Sequence, residues 1–106
     1  MKFKIAFAAL CLLGATGVSQ AQDPNLARNL AATCANCHGT DGRTVDGDGL
    51  GEMVSLAGMP AAEILEKVND YRSGDMPATI MHQIAKGYTE EQLQLIADYF
   101  AAQATQ

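Results

Sequence analysis

Cys34-Ala35-Asn36-Cys37-His38 is the stretch on which the reading of this chain turns. Two residues separate the thiols, and an imidazole follows the second at once. That is the attachment pattern of a c-type haem. With this spacing near a helix end, both thiols reach the two vinyl groups on one edge of a porphyrin, and the histidine presents its ring to the iron from the same side. Covalent attachment holds a hydrophobic cofactor in a domain too small to bury it by packing alone. A thioredoxin-like dithiol would need a neighbouring strand and a βαβ pattern, and a structural zinc pair would need a second ligand pair. The sequence offers neither.

His38 is expected to bind iron through Nε2 while a backbone carbonyl holds its Nδ1 proton and fixes the ring. His82 is the only other histidine. It sits beside Met81 on a short predicted helix, where adjacent side chains diverge by about 100°, and it is expected to be exposed.

The segments around the motif read as short helices joined by loops. Asp23 and Pro24 suit an N-cap and first helical residue, and Leu26, Ala27, Leu30 and Ala31 recur at helical spacing up to Cys34. Six glycines and four acidic residues between Gly39 and Gly58 give loop composition, and a loop of this length is usually functional or wrapped around something. Pro60 opens a second helix with Ile64, Leu65, Val68 and Tyr71 as its apolar stripe, capped at Gly74. Pro77 opens a shorter segment with Ile80, Met81 and Ile84, stopped by Gly87. Thr89 with Gln92 three residues on is a capping-box signature for a last helix, whose apolar face is Leu93, Ile96, Ala97 and Phe100.

The 106 residues hold at most one domain, and the first stretch lies outside it. Lys2 and Lys4 precede an apolar run from Ile5 to Leu13, and Ser19-Gln20-Ala21 supplies the small residues of a signal-peptidase site. The run is too short to span a bilayer. A lipid anchor on Cys11 fits poorly, because Ala9 and Leu10 precede it. Residues 1-21 are therefore read as a cleaved signal peptide and 22-106 as a single cytochrome c domain, exported to the periplasm with no membrane span. Cleavage removes Cys11, so no disulfide can staple the mature chain, which at roughly 85 residues is near the size where an apolar core alone is marginal. It also leaves five basic residues against twelve acidic ones. That balance excludes nucleic-acid binding by counterion release and suits solubility or guided contact with a protein partner.

A transfer haem usually has a second axial ligand, and methionine favours ferrous iron. Met53 lies 15 residues after His38 and Met59 just before a helix, whereas Met76 and Met81 follow a helix long enough to carry the chain to the opposite haem face. Each also suits a flexible core filler. Three segments, CANCHGTDG from Cys34 to Gly42, Ser55-Leu56-Ala57-Gly58, and YRSGDMPATIMHQIAKGYTEEQLQLIADYFA from Tyr71 to Ala101, resemble class I cytochromes c of the c4 and c553 type. Among these they are most similar to haem subunits of flavocytochrome c sulfide dehydrogenases. The resemblance covers nearly all of residues 22-106 and implies Met81 as the second ligand. Two departures stand out. Val54 replaces a proline frequent in the family near the carbonyl that receives the haem histidine's proton, and there is one CxxCH where many such subunits are dihaem proteins.

The expected fold is all-α, the class I cytochrome c arrangement of short helices and loops wrapped around one covalently bound haem, with the first and last helices crossing. The expected cofactor is one haem c, attached at Cys34 and Cys37, with His38 and Met81 as axial iron ligands. By resemblance, the partners are an FAD-containing sulfide dehydrogenase subunit and a downstream electron acceptor. No acid, base or nucleophile stands out, so any enzymatic activity belongs to the complex. The alternatives are a free mobile periplasmic carrier, and soft-metal binding, copper above all, at the same thiols, His38 and Met81 in haem-free protein. Peptide mapping of exported protein should place the mature N-terminus at Gln22; a mature chain retaining Cys11 would contradict the signal reading.

Overall fold

In the computed structural model residues 23–44 and 53–105 are described. The signal-peptide reading, and the part of the glycine-rich loop holding Gly47, Gly49 and Gly51, lie outside them. The described residues form four α-helices and no strand, as expected for an all-α cytochrome fold: α1 (Leu26–His38), α2 (Ala61–Ser73), α3 (Met81–Ala85) and α4 (Glu90–Ala101), with a 3₁₀ turn at Thr40–Gly42. None of these helices is long and apolar enough to cross a membrane.

The start of α1 differs from the sequence reading. The helix begins at Leu26 behind Asn25 rather than at Pro24. The Asp23 carboxylate accepts the Asn25 N–H at 2.9 Å, and its carbonyl accepts the Leu26 N–H at 3.0 Å. A short acidic side chain that folds back on its own backbone makes a turn in place of the first helical residue. The last helix starts as read: the Thr89 hydroxyl accepts the Gln92 N–H at 3.2 Å, and the Gln92 side chain accepts the Thr89 N–H at 3.0 Å. Gly74 caps α2 in the left-handed conformation, φ 87°, where an L side chain is strained.

Helices α1 and α4 pack together, and α2 packs on both α3 and α4. Their common core is Ala31 of α1, Ile64 of α2, and Ile96, Ala97 and Phe100 of α4. Two alanines at the α1/α4 contact let the backbones approach and leave room for the fully buried Phe100 ring. All four residues predicted for the apolar face of α4 are buried.

One carbonyl joins the loops to this core. The Gly42 oxygen accepts the Leu56 N–H at 2.8 Å, the Ala57 N–H at 3.1 Å and the Ser55 hydroxyl at 2.8 Å. Gly42 has φ 80°, and a Cβ there would lie 2.7 Å from the Phe100 ring. The Gly58 N–H donates to the Phe100 carbonyl at 2.9 Å, closing the same segment onto the end of α4. Tyr99 donates its hydroxyl to Asp41, which pushes the phenol above its ordinary pKa. Phe100→Ala should cost the holoprotein about 3–5 kcal/mol, read as a lower denaturant midpoint. A loss below about 1 kcal/mol would mean the ring's site collapses without it.

Candidate cofactor site

The last turn of α1 carries Cys34, Cys37 and His38, at i, i+3 and i+4, the spacing that puts three side chains on one face. All three line a cavity of about 630 Å³, within the range of roughly 300–1,000 Å³ usual for ligand and cofactor sites. Ile64 of α2 and Leu93, Ile96 and Phe100 of α4 contribute apolar lining, and so does the segment from Met76 into α3. The cavity thus lies directly on the packed core. Both cysteines are free and half-buried.

The imidazole is positioned by one hydrogen bond. His38 Nδ1 lies 2.7 Å from the Val54 carbonyl oxygen. A carbonyl only accepts, so Nδ1 carries the proton and Nε2 keeps the lone pair a metal needs. Valine in place of the family's proline leaves this bond intact. Gly39 makes the approach possible: at φ 87°, ψ 161° it occupies a region essentially reserved for glycine, and its N–H closes α1 on the Ala35 carbonyl at 3.0 Å. The chain then doubles back so closely that a Cβ on Gly39 would lie 1.8 Å from the Arg43 carbonyl oxygen.

Met81, the first residue of α3, lines the cavity, and so do Met53, Met59 and Met76. After α2 the Gly74 and Met76 N–H groups both donate to the Asp70 carbonyl, at 3.2 and 3.1 Å, which turns the chain so that residues 76–81 line the cavity. His82 turns the other way. It is half-buried rather than exposed, because it lines a separate notch of about 270 Å³ beside Arg72 and Lys86, where its buried Nδ1 has no partner. Arg72 is paired with Glu90, and neither Arg72 nor Lys86 lines the cavity. The sequence reading passed over Lys67, which does line it. Its helical register with Ile64 and Tyr71 was the available signal.

These residues fit a covalently held haem: two thiols, an imidazole with a free Nε2, methionine thioethers and apolar side chains all line one cavity. They fit a soft metal ion less well. Among the described residues no three His, Cys, Asp or Glu side chains converge on one point. Burial pushes the Cys34 thiol above its ordinary pKa, against a smaller pull from a backbone hydrogen bond, so binding as a thiolate would cost a proton.

No family model matches the chain. It is 31% identical over 104 residues to cytochrome c-553 of Nitratidesulfovibrio vulgaris, an alignment covering 95% of this chain and 98% of that protein. The chain belongs to the class I c-type cytochromes. This cytochrome is also 38% identical over 71 residues to the cytochrome subunit of sulfide dehydrogenase of Chlorobaculum tepidum, covering 67% of this chain and 60% of that one. To cytochrome c4 of Pseudomonas aeruginosa it is 30% identical over 101 residues, 94% of this chain but only 48% of the relative. It therefore spans most of one relative and about half of two others. Membership of the family implies haem c and electron transfer. Gly39→Ala should sharply lower the yield of haem-loaded protein from an exporting host, measured as haem absorbance per polypeptide. A wild-type yield would show that the tight turn after His38 is dispensable.

Proposed function

We propose that this cytochrome is a periplasmic single-electron carrier that accepts electrons from a sulfide-oxidising FAD flavoprotein and passes them to a downstream acceptor. In this reading Cys34 and Cys37 would hold one haem through thioethers, and His38 Nε2 and the Met81 sulfur would be its iron ligands. Bound there, the haem supplies a reversible one-electron ferric–ferrous couple.

The observation that carries the reading is the Nδ1 bond of His38 to the Val54 carbonyl, made by an imidazole that adjoins one free thiol, lies one helical turn from the other and lines an apolar cavity. That bond orients the ring and fixes its tautomer. Cys34 and Cys37 fix the edge of the porphyrin against α1. Ile64, Leu93, Ile96 and Phe100 exclude water from its face, which limits the reorganisation that each electron transfer demands. Met81 offers a soft sulfur that favours the ferrous state. Met76 lies on the same wall, and the choice of Met81 rests on its place in the segment PATIMHQIAKGYT, similar to the one that carries the ligand in flavocytochrome haem subunits.

The flavoprotein partner is supported by the likeness to the Chlorobaculum tepidum subunit. Size-exclusion chromatography of native extract, monitored for flavin and haem, tests it: co-elution is expected, and a haem peak eluting alone would leave the mobile-carrier reading. Met81→Ala should abolish the sulfur-to-iron charge-transfer band and lower the potential by on the order of 0.1 V, part of the roughly 0.8 V range that axial ligation spans. If Met76→Ala does this and Met81→Ala does not, Met76 is the ligand.

A further inference from the structure

Helix α2 turns Ile64, Val68 and Tyr71 toward the cavity, and Lys67 falls on the same stripe, three residues after Ile64 and four before Tyr71. Among the described residues lining the cavity, Lys67 is the only Lys, Arg, Asp or Glu. Its side chain is 43% exposed, and Nζ lies 3.8 Å from a Glu63 carboxylate oxygen that is itself about half exposed. An ion pair of this kind at i, i+4 is loosely held. A lysine in this position runs its methylene stem along the apolar wall and keeps the ammonium at the rim. The other cations near α3 are placed differently. Arg72 is neutralised by Glu90, and Lys86 belongs to the notch shared with His82.

We propose that Lys67 sets the reduction potential of this site, its ammonium at the cavity rim favouring the ferrous over the ferric state. The inference rests on the haem reading above. When a one-electron donor, a reduced flavin or a mediator dye, gives its electron to the iron, no bond forms or breaks, and the charge in the cavity falls by one. A fixed positive charge on the wall is repelled less by the reduced site than by the oxidised one. Glu63 opposes the effect from farther out, where water and salt screen it. If Lys67 served only to cover the cavity with its stem, an uncharged side chain of similar length would serve equally well.

The test is an equilibrium redox titration, with mediators, of haem-loaded protein from an exporting host. At a fixed ambient potential and low salt, Lys67→Gln and Lys67→Met should raise the ferric-to-ferrous ratio about three- to tenfold, the effect of one unit charge at the wall of a weakly polar cavity. Lys67→Glu should raise it further, and Lys67→Arg should stay within about twofold of wild type. Lys86→Gln, which removes a cation outside the cavity, should also stay within about twofold, and all differences should shrink at high salt. An unchanged ratio in Lys67→Met and Lys67→Glu would overturn the proposal, as would a shift in Lys86→Gln equal to that in Lys67→Gln. Failure of the haem reading itself shows earlier and differently, as protein without haem absorbance, and the inference falls with it.

Discussion

The hydrogen bond from His38 Nδ1 to the Val54 carbonyl is the contact on which the rest of the site depends. It spans 16 residues of sequence, ties the end of α1 to the segment that runs into α2, and decides which ring nitrogen faces the cavity. The turn beneath it is held by equally specific means. Gly39 takes a backbone conformation closed to other residues, and the Gly42 carbonyl gathers three donors from residues 55–57. Gly42 in turn sits against the Phe100 ring, so α4 underpins the geometry of an imidazole it does not touch through hydrogen bonds.

The packing explains why such a chain needs a cofactor. Of the eight buried hydrophobic residues among those described, four are alanines, and Phe100 is the only large side chain among them that is fully buried. Val68 and Tyr71 of α2, Met81 and Ile84 of α3, and Met76 between the two helices line the cavity. A helical chain of this size has little apolar surface to bury against itself. It directs that surface toward the cavity instead, which suits a flat hydrophobic cofactor.

Much of this was legible in the residues. CANCH matches the attachment pattern of a c-type haem, and the class I cytochrome relatives agree with that cofactor. Thr89 with Gln92, the apolar face of α4 and Gly74 follow from local rules, and the structure bears each out. What escaped depends on tertiary contacts. Asp23 captures its own following backbone and delays α1 to Leu26. Lys67 interrupts an otherwise apolar stripe, and its register mattered more than its charge suggested. His82 is drawn into a notch made by residues from α2 and the following turn. The choice between Met76 and Met81 is not legible from periodicity, since the chain reversal after α2 brings both to one wall.

The account stands or falls on a covalent link between the polypeptide and one haem. The direct measurement is the intact mass of the protein purified from a host that exports and matures c-type cytochromes, taken after denaturation in acidified acetone. The account predicts a single species equal to residues 22–106 plus one haem, which collapses to the bare polypeptide mass when Cys34 and Cys37 are both replaced by serine. A polypeptide that releases its haem on denaturation, or carries a different metal and no haem, would contradict it.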